Sequence, residues 1–285
     1  MRPTTDADAR AIATIRVGSW KAAYAGLIPD VLLEHLDAEY EAERRAQHWA
    51  EHHADPRSAE FIALRDGLAV GWASAGPCRD DDGPTRGELY ALYVLPDHWS
   101  TGAGHALITQ AEEAQLIERL GGLDLAPFRF HGWLGNRRTQ SFGWRYDFDD
   151  ASFTRTEAIP DWLQAVREKA AAFAGLQPDD FVHVLLARYD PGAGIGWHRD
   201  RDVFEQVVGI SLGTPAVLRF RQRAAGGFKR ASIKVEPRSA YLLSGESRWD
   251  WEHRITPGDE LRFSITFRTL SDKGRRIAEG NAPQP

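Results

Sequence analysis

The chain has 285 residues, a formal net charge of −6, 42% hydrophobic residues and 27% charged residues, the balance of a globular protein of about two domains. Its single cysteine, Cys78, excludes a disulfide scaffold and a Cys-rich zinc site, so a metal would need His, Asp or Glu ligands. No apolar run approaches the ~18 residues of a membrane span, and the N-terminus has no signal-peptide core. We expect a cytoplasmic protein without a membrane partner.

Charge and aromatic content both change near residue 110. Residues 1–110 carry 10 Lys and Arg against 17 Asp and Glu, whereas residues 111–285 carry 25 against 24. Twelve of the 13 phenylalanines follow residue 110. A joint shift of this kind indicates two units of different origin, and we predict domains over 1–111 and 112–285.

The first unit alternates helical and extended patterns. Ile12, Ile15 and Trp20 recur at helical spacing after a capping segment, and a second helical stretch is predicted over about 30–54. Two strands around the turn Asp66-Gly67 are predicted next. An apolar strand over 88–94, the glycines Gly102 and Gly104, and a helix from about His105 then follow.

A strand, a glycine turn and a helix N-terminus together can bind an anion such as a pyrophosphate. With the segments 2–8 and 20–29, this arrangement resembles the front of a GNAT acetyltransferase. The resemblance implies an α/β unit that binds acetyl-CoA at Val94, Gly102 and Gly104. Trp99 replaces the usual Arg or Gln before the first glycine, and the later strands of that family have no counterpart. We therefore expect an incomplete GNAT-like segment in which acetyl-CoA binding and acetyl transfer are doubtful. The alternative is a tight turn before an amphipathic helix.

The second unit becomes strand-rich after two helical patterns, at 111–120 and 160–174. Many short strands with Gly and Pro turns predict a sandwich or barrel. The predicted strands are 183–189, 195–199, 207–212, 216–223, 231–235, 240–244, 253–255 and 261–269.

One constellation in these strands carries metal chemistry. His198 and Asp200 are two residues apart, so in a strand they point to the same side. His253 lies in a later strand that a barrel can bring alongside. Two His and one carboxylate leave three positions open on a metal, as in non-haem Fe(II) oxygenases. The alternative is a chance His-x-Asp pair with surface or packed histidines.

The last predicted strand alternates apolar and polar residues. Arg262, Ser264, Thr266 and Arg268 share one face, and six residues span about 20 Å along a strand. Two arginines leaning toward each other could grip both ends of a short dicarboxylate, because a guanidinium matches a carboxylate. The alternative is the solvent-facing side of an edge strand.

The segments 189–200, His253 and 262–268 together resemble an AlkB-like 2-oxoglutarate/Fe(II) dioxygenase. The resemblance covers most of 112–271 and implies a double-stranded β-helix (jelly roll) with flanking helices and a catalytic core over about 179–271. It implies Fe(2+) as cofactor, with 2-oxoglutarate and O₂ as cosubstrates. The implied iron ligands are His198, Asp200 and His253.

The same resemblance assigns the cosubstrate and part of the substrate contacts. Tyr189 and Arg262 would hold the distal carboxylate of 2-oxoglutarate, and Arg268 would lie near the metal-bound end. The family often has Asn at the position of Ala187, so one cosubstrate contact is missing. Asp202 matches an acidic position that contacts the target base in some members. Oxidation of an N-methyl group would release formaldehyde.

The substrate is less constrained by the sequence. Arg137, Arg138, Trp144 and Tyr146 resemble the family's substrate-covering segment, in which aromatic rings could stack a flipped base and Arg could contact phosphates. The basic stretch from Arg219 to Arg238 could follow a nucleic-acid backbone. We expect alkylated DNA or RNA as the partner. Core packing and a solvated strand are the alternatives for these residues, and a protein or small molecule is the alternative substrate. The first unit could instead support the second or recruit a partner without catalysis.

Overall fold

The computed structural model of the chain describes residues 1–80, 87–130, 132–147 and 152–280. The chain forms two compact units, Met1–Arg119 and Leu120–Pro285. In the described ranges, no helix is both long enough and apolar enough to cross a membrane.

The first unit is a four-stranded antiparallel sheet with helices. Its strands are β1 (Arg2–Pro3), β2 (Ala59–Arg65), β3 (Leu68–Pro77) and β4 (Gly87–Val94), and its helices are α1 (Ala9–Ala23), α2 (Asp30–Glu34), α3 (Ala38–Gln47), α4 (Trp49–His52) and α5 (Ala103–Gly121), which ends just past the unit boundary. The strand order is β1-β2-β3-β4.

Both faces of this sheet are covered by apolar side chains. Ile12 and Ile15 of α1 pack with Ile62 and Trp72 on one face. Leu107 of α5 packs with a second group, centred on Phe61, Ala63 and Ala73, on the other face. Burial of these side chains is the main favourable term for this layered arrangement.

The β2–β3 hairpin is confirmed, and the helical stretch predicted over 30–54 is divided into three helices. Asp66 and Gly67 both have left-handed backbone angles, with φ of 51° and 80°, as a two-residue hairpin turn requires. The 30–54 stretch is broken into α2, α3 and α4. Asp37 restarts the helix, because its carboxylate accepts a hydrogen bond from the Glu39 amide at 2.8 Å.

The second unit consists of eleven strands in the described ranges, with three helices. The strands are β5 (Ala126–Phe130), β6 (Trp133–Tyr146), β7 (Phe153–Arg155), β8 (His183–Tyr189), β9 (Ile195–His198), β10 (Phe204–Leu212), β11 (Ala216–Ala224), β12 (Gly227–Val235), β13 (Ser239–Leu243), β14 (Glu252–Ile255) and β15 (Arg262–Leu270), and the helices are α6 (Gln164–Ala174), α7 (Gly245–Trp249) and α8 (Asp272–Gly280).

These strands form two sheets. The larger sheet has the order β13-β10-β15-β8-β6-β5, with β7 paired to β6, and the smaller sheet has the order β12-β11-β14-β9. Strand β15 pairs with β10 on one side and β8 on the other, so the edge-strand alternative for this segment is wrong. Its apolar residues Phe263, Ile265 and Phe267 are at most 1% exposed, which places them in the core.

Strand β6 contains a glycine with a left-handed backbone conformation, Gly143. Its φ is +82°, and a Cβ there would lie 2.0 Å from the carbonyl oxygen of Val182. Only glycine fits this left-handed and crowded position. No secondary structure was predicted for 126–146 from the sequence; in the described residues of this range β5 pairs with β6, and β6 pairs with β8.

Candidate metal and cosubstrate site

Three possible metal ligands converge between the two sheets. Strand β14 pairs with β9 so that His253 lies opposite His198, and Asp200 follows β9 by two residues. One ligand atom from each of the three residues lies within 4.8 Å of those of the others. Nε2 of His253 is 3.5 Å from Oδ2 of Asp200.

The orientation of His198 is fixed by the backbone. Its Nδ1 lies 2.9 Å from the carbonyl oxygen of Gly196. A carbonyl can only accept, so Nδ1 donates and Nε2 carries the free lone pair. Metal-binding histidines are commonly oriented by such a bond to the second ring nitrogen.

The protonation states also suit a metal. Burial lowers the pKa of His253 to about 4 and also lowers the pKa of His198. Burial alone would raise the pKa of Asp200, but the Arg268 guanidinium and the two imidazoles hold it well below its usual range. Near neutral pH the site therefore offers two neutral imidazoles and one carboxylate, the forms that bind divalent metals.

Arg268 is hydrogen-bonded to Asp200 at the end of the site that contains the candidate metal ligands. Its Nε and Nη2 donate to the same Asp200 oxygen, Oδ1, at 3.0 and 2.7 Å. Its Nη1 lies 3.3 Å from Nδ1 of His183. His183 is 4% exposed, and burial lowers its pKa well below the ordinary value, so a neutral imidazole lies behind the guanidinium.

Arg262 and Tyr189 define the other end. Arg262 donates through Nε and Nη2 to Oγ of Ser211, at 3.2 and 3.0 Å. The Tyr189 hydroxyl lies 3.4 Å from Oγ of Ser264. Nη1 of Arg262 is buried without a hydrogen-bond partner in the described part of the chain. A buried unpaired donor is costly, and a carboxylate would pair with it, so this end fits the distal group of 2-oxoglutarate.

Arg137 also lies inside the site. It is only 9% exposed, and its guanidinium lies 4.0 Å from the Phe128 ring. Burial alone would raise the pKa of Tyr189, but Arg137 and Arg262 outweigh it and lower that pKa. Arg137 thus adds a third cation to the cavity, whereas the neighbouring Arg138 is exposed.

The other expected substrate residues surround the Arg268 end. Trp144 stacks on Phe153 with ring centroids 5.0 Å apart, and both Trp144 and Tyr146 pack on the cluster that contains Phe204. The Tyr146 hydroxyl accepts a hydrogen bond from Arg201. Asp202 is exposed and pairs with Lys273 at 2.8 Å. Trp144 is therefore partly a packing residue.

The basic stretch forms the β11–β12 hairpin at the edge of the smaller sheet. Residues 216–238 contain seven Lys and Arg against one Glu. Arg221 lies 4.5 Å from the Trp197 ring and 4.7 Å from the Phe228 ring, and it pairs with Glu252 at 2.5 Å. Arg219 and Arg223 are exposed on the same face. The hairpin therefore exposes arginine side chains next to aromatic rings.

Two groups of site residues escaped the sequence analysis. Ser211 and His183 hold the two arginines, and only the strand pairing shows that they face them. Tyr241 approaches from β13, and its pKa responds to Tyr189, Arg262, Asp200 and Arg268. No local motif surrounds Tyr241, so the strand order was the only signal that could have found it.

The glycine turn in the first unit has the expected form. Gly102 has a φ of +87°, and a Cβ at Gly104 would lie 3.7 Å from Cγ2 of Val94. The Trp99 indole donates to the Val94 carbonyl at 2.6 Å. A separate cavity of about 480 Å³ in this unit is lined by Arg45, Glu60, Trp72 and neighbouring residues.

The family comparisons agree with this geometry. The 2OG-Fe(II) oxygenase superfamily matches residues 105–268, and the acetyltransferase (GNAT) family matches residues 25–125. The mouse protein tRNA (carboxymethyluridine(34)-5-O)-methyltransferase ALKBH8 is 27% identical over 222 residues, which cover 67% of this chain and 32% of that protein. The alpha-ketoglutarate-dependent dioxygenase AlkB of Salmonella typhimurium is 31% identical over 160 residues, which cover 50% of this chain and 68% of that protein.

The first unit has its own relative. The uncharacterized N-acetyltransferase YuaI of Bacillus subtilis is 32% identical over 108 residues, which cover 37% of this chain and 58% of that protein. The chain thus spans only about a third of the mouse relative and 58% of the Bacillus one. Because its family match covers more than half of the sequence, the chain belongs to the 2OG-Fe(II) oxygenase superfamily, as an AlkB-like member with an N-terminal GNAT-like segment.

Proposed function

We propose that residues 112–285 form a Fe(II)- and 2-oxoglutarate-dependent dioxygenase that oxidatively demethylates or hydroxylates alkylated nucleobases in DNA or RNA. The observation that carries the proposal is the convergence of His198, Asp200 and His253 beside Arg268 and the buried Arg262. Nη1 of Arg262 has no hydrogen-bond partner among the described residues. In this proposal the two sheets form a double-stranded β-helix, and the catalytic core spans about 179–271. A cytoplasmic location stays a prediction.

His198, Asp200 and His253 would hold the metal, with Asp200 fixed by Arg268. A site with two imidazoles and one carboxylate is typical of non-haem Fe(II) oxygenases, in which the metal would also bind the cosubstrates 2-oxoglutarate and O₂. When bound, the iron would supply oxidation of a C–H bond, coupled to conversion of 2-oxoglutarate to succinate. The protein's part is to fix the ligand geometry and keep the imidazoles deprotonated.

Tyr189, Arg262 and Arg268 would bind 2-oxoglutarate. Arg262 is held by Ser211 through two of its nitrogens, so its third nitrogen is positioned to meet the distal carboxylate with little loss of side-chain freedom. Arg268 would face the metal-bound end. The two arginines lie on one face of β15, separated by Ser264 and Thr266, whose small side chains leave room for a ligand.

The substrate proposal rests on the β5–β6 hairpin and its neighbours. Arg137, Arg138, Trp144, Tyr146 and Asp202 would contact the substrate, with the aromatic rings on the flipped base. The match to a relative named for tRNA supports a nucleic acid. Arg137 is buried at the cavity, so we expect it to contact the target base, while the exposed Arg138 contacts phosphate.

The β11–β12 hairpin would contact the nucleic-acid backbone. The chain as a whole is acidic, yet residues 216–238 have six more basic than acidic side chains. A local concentration of positive charge on an acidic protein is typical of phosphate binding. An alternative role for basic residues at the edge of a sheet is to prevent edge-to-edge pairing with another chain. Salt-dependent binding of a nucleic acid would distinguish phosphate contact from this alternative.

The experiment compares the full chain with its Asp200→Ala variant. Both are loaded anaerobically with Fe(II) and 2-oxoglutarate, exposed to oxygen, and assayed for succinate. Formaldehyde release is then measured across methylated DNA oligonucleotides, methylated RNA oligonucleotides and tRNA. We expect succinate from the wild type alone, and formaldehyde with at least one nucleic acid. Wild type that makes no more succinate than Asp200→Ala would overturn the proposed activity.

A second candidate function concerns the first unit. Its match to the acetyltransferase family and the left-handed Gly102 before α5 favour binding of acetyl-CoA at Val94, Gly102 and Gly104. Trp99 already donates to the Val94 carbonyl, which argues against a productive complex. Calorimetry of acetyl-CoA with the full chain tests this function, and absence of measurable heat would reject it.

A further inference from the structure

The side chain of Tyr241 extends over the neighbouring strand β10 in the larger sheet. Tyr241 belongs to β13 and pairs with Gly209 of β10. A Cβ at position 209 would lie 2.2 Å from Cζ and 2.5 Å from the hydroxyl oxygen of Tyr241. No real Cβ approaches atoms this closely, so the tyrosine ring occupies space that any other residue at position 209 would fill.

The Tyr241 ring also contacts the smaller sheet. Tyr241 packs on the apolar cluster of the smaller sheet formed by Leu218, Val235 and Ile255. The ring is therefore in contact with residues of both sheets. A side chain fixed in this way loses little further freedom when it binds a ligand, which favours a binding role for its hydroxyl.

The hydroxyl faces the charged part of the cavity. Among charged and titratable neighbours, its proton affinity responds most to Tyr189 and Arg262, and less to Asp200 and Arg268. Burial raises the pKa of Tyr241 to about 12, so the phenol keeps its proton and can donate. Within the described part of the chain, no hydrogen bond engages this hydroxyl.

The side chains of β8, β10 and β15 near Arg262 leave space for a hydrogen-bond donor such as the Tyr241 hydroxyl. Ser264 lies opposite Ser211 on one side and Ala187 on the other. Ala187 contributes only a methyl group at a position next to Tyr189 on the site-facing side. The polar contacts near Arg262 therefore come from Ser211, Ser264 and Tyr189, with Tyr241 as a further group from a different strand.

We propose that Tyr241 donates a hydrogen bond to the distal carboxylate of 2-oxoglutarate, beside Arg262 and Tyr189, and that Gly209 is required because it admits the ring. This inference rests on the proposed function. It assigns a cosubstrate contact to a strand that carries no residue of the His/Asp/His constellation.

The test measures binding rather than turnover. The full chain is loaded with Mn(II) and titrated by calorimetry with 2-oxoglutarate and, separately, with oxalate, which chelates a metal but has no distal carboxylate. The variants are Tyr241→Phe, which keeps the ring, and Gly209→Ala, which displaces it. Tyr40→Phe, at an exposed position of α3 in the other unit, is the matched control. Mn(II) affinity and thermal unfolding are recorded for every variant.

We expect Tyr241→Phe and Gly209→Ala to weaken 2-oxoglutarate binding by about tenfold or more, the usual effect of losing a hydrogen bond to a charged group. Oxalate and Mn(II) binding should change less than about twofold. Unchanged 2-oxoglutarate affinity in Tyr241→Phe, or equal losses for 2-oxoglutarate and oxalate, would overturn the inference. Gly209→Ala tests the same contact from the other strand if one variant does not fold.

Different results would contradict the proposed dioxygenase function and the proposed role of Tyr241. Wild type that gives no heat with 2-oxoglutarate while Mn(II) is bound contradicts the proposed function itself. If the wild type binds 2-oxoglutarate and Tyr241→Phe binds it with the same affinity, only the role of Tyr241 is contradicted.

Discussion

Arg268 holds Asp200 by two hydrogen bonds to one carboxylate oxygen, from Nε at 3.0 Å and from Nη2 at 2.7 Å. The second oxygen, Oδ2, points instead toward His253, at 3.5 Å from Nε2. The guanidinium therefore divides the carboxylate into one oxygen that is anchored and one that is left for a metal.

Replacing Arg268 should weaken metal binding although Arg268 is not itself a candidate ligand. In Arg268→Lys the ammonium cannot donate two parallel bonds to Oδ1, so Asp200 loses its fixed orientation. We expect Mn(II) affinity to fall about 10-fold, the lower end of the effect of removing an orienting partner. Electron paramagnetic resonance of free Mn(II) measures this. Arg188→Lys, on the same sheet but paired to Asp190, is the control, and equal losses in both variants would contradict the role.

Arg262→Lys should separate cosubstrate binding from metal binding. Nη1 of Arg262 is the buried donor without a partner in the described residues, and a lysine cannot hold Ser211 and a carboxylate together with the same geometry. We expect 2-oxoglutarate affinity to fall by about 10-fold or more while Mn(II) affinity is retained. Calorimetry checks both, and loss of Mn(II) affinity of the same size would place Arg262 in the metal site instead.

The hairpin of β11 and β12 predicts a salt-dependent interaction. In a variant with Arg219→Glu and Arg223→Glu, binding of a single-stranded oligonucleotide should weaken. The slope of log affinity against log salt should also decrease by about one for each phosphate contact removed. Fluorescence anisotropy at several salt concentrations measures this slope. Arg44→Glu with Arg65→Glu makes the same charge change in the first unit, and equal effects would show that only net charge matters.

Gly143→Ala should destabilise the second unit strongly. Gly143 and Gly226 both have a φ of +82°, but only at Gly143 would a Cβ collide with a backbone oxygen, whereas nothing lies within 4 Å at Gly226. We expect Gly226→Ala to lower the free energy of unfolding by about 1 kcal/mol, from backbone strain alone. Gly143→Ala should cost at least about 3 kcal/mol. Urea unfolding compares the two, and similar values would contradict the steric argument.

The first unit should show a pH-dependent contribution from Asp8. Its carboxylate receives two hydrogen bonds from Arg2, both at 2.7 Å, and the Arg2 guanidinium lowers the pKa of Asp8 to about 2. A lowered pKa stabilises the folded state above the unfolded pKa of about 4, and that stability is lost as the pH falls through the folded value.

We therefore expect Asp8→Asn to lower stability by about 1 kcal/mol near neutral pH, a value reduced from the full shift because Arg2 is half-exposed. The difference from wild type should shrink between pH 4 and about 2. Hydrogen exchange of α1 amides follows the first unit separately. A difference that grows on acidification would contradict the sign of this linkage.

The sequence predicted the parts of the site that local spacing determines. His198 and Asp200 share a face because strand side chains alternate, and the same alternation groups Arg262 with Arg268. The late strands were also identified from their pattern. Identification of Arg137 and Tyr189 with specific roles still rests on the resemblance.

Long-range contacts were not predictable in the same way. Tyr241 enters the cavity because β13 pairs with β10 opposite a glycine, and nothing near residue 241 indicates that neighbour. The burial of Arg137 follows from the pairing of β6 with β8, whereas an Arg-rich segment read alone suggested surface contacts to phosphate. The separation of α2 from α3 within the predicted helical stretch depends on the Asp37 side chain, which accepts hydrogen bonds from backbone amides.

The alignment of His253 with His198 makes this cavity sensitive to insertions in the connection that leads into β14. A slip of one residue between β14 and β9 would turn His253 to the outer side of the sheet, because side chains alternate. We therefore expect one added residue in the connection after α7 to lower metal affinity more than substitution of most residues that line the cavity. Among homologous chains, we expect the length of that short connection to vary less than the length of the β11–β12 turn.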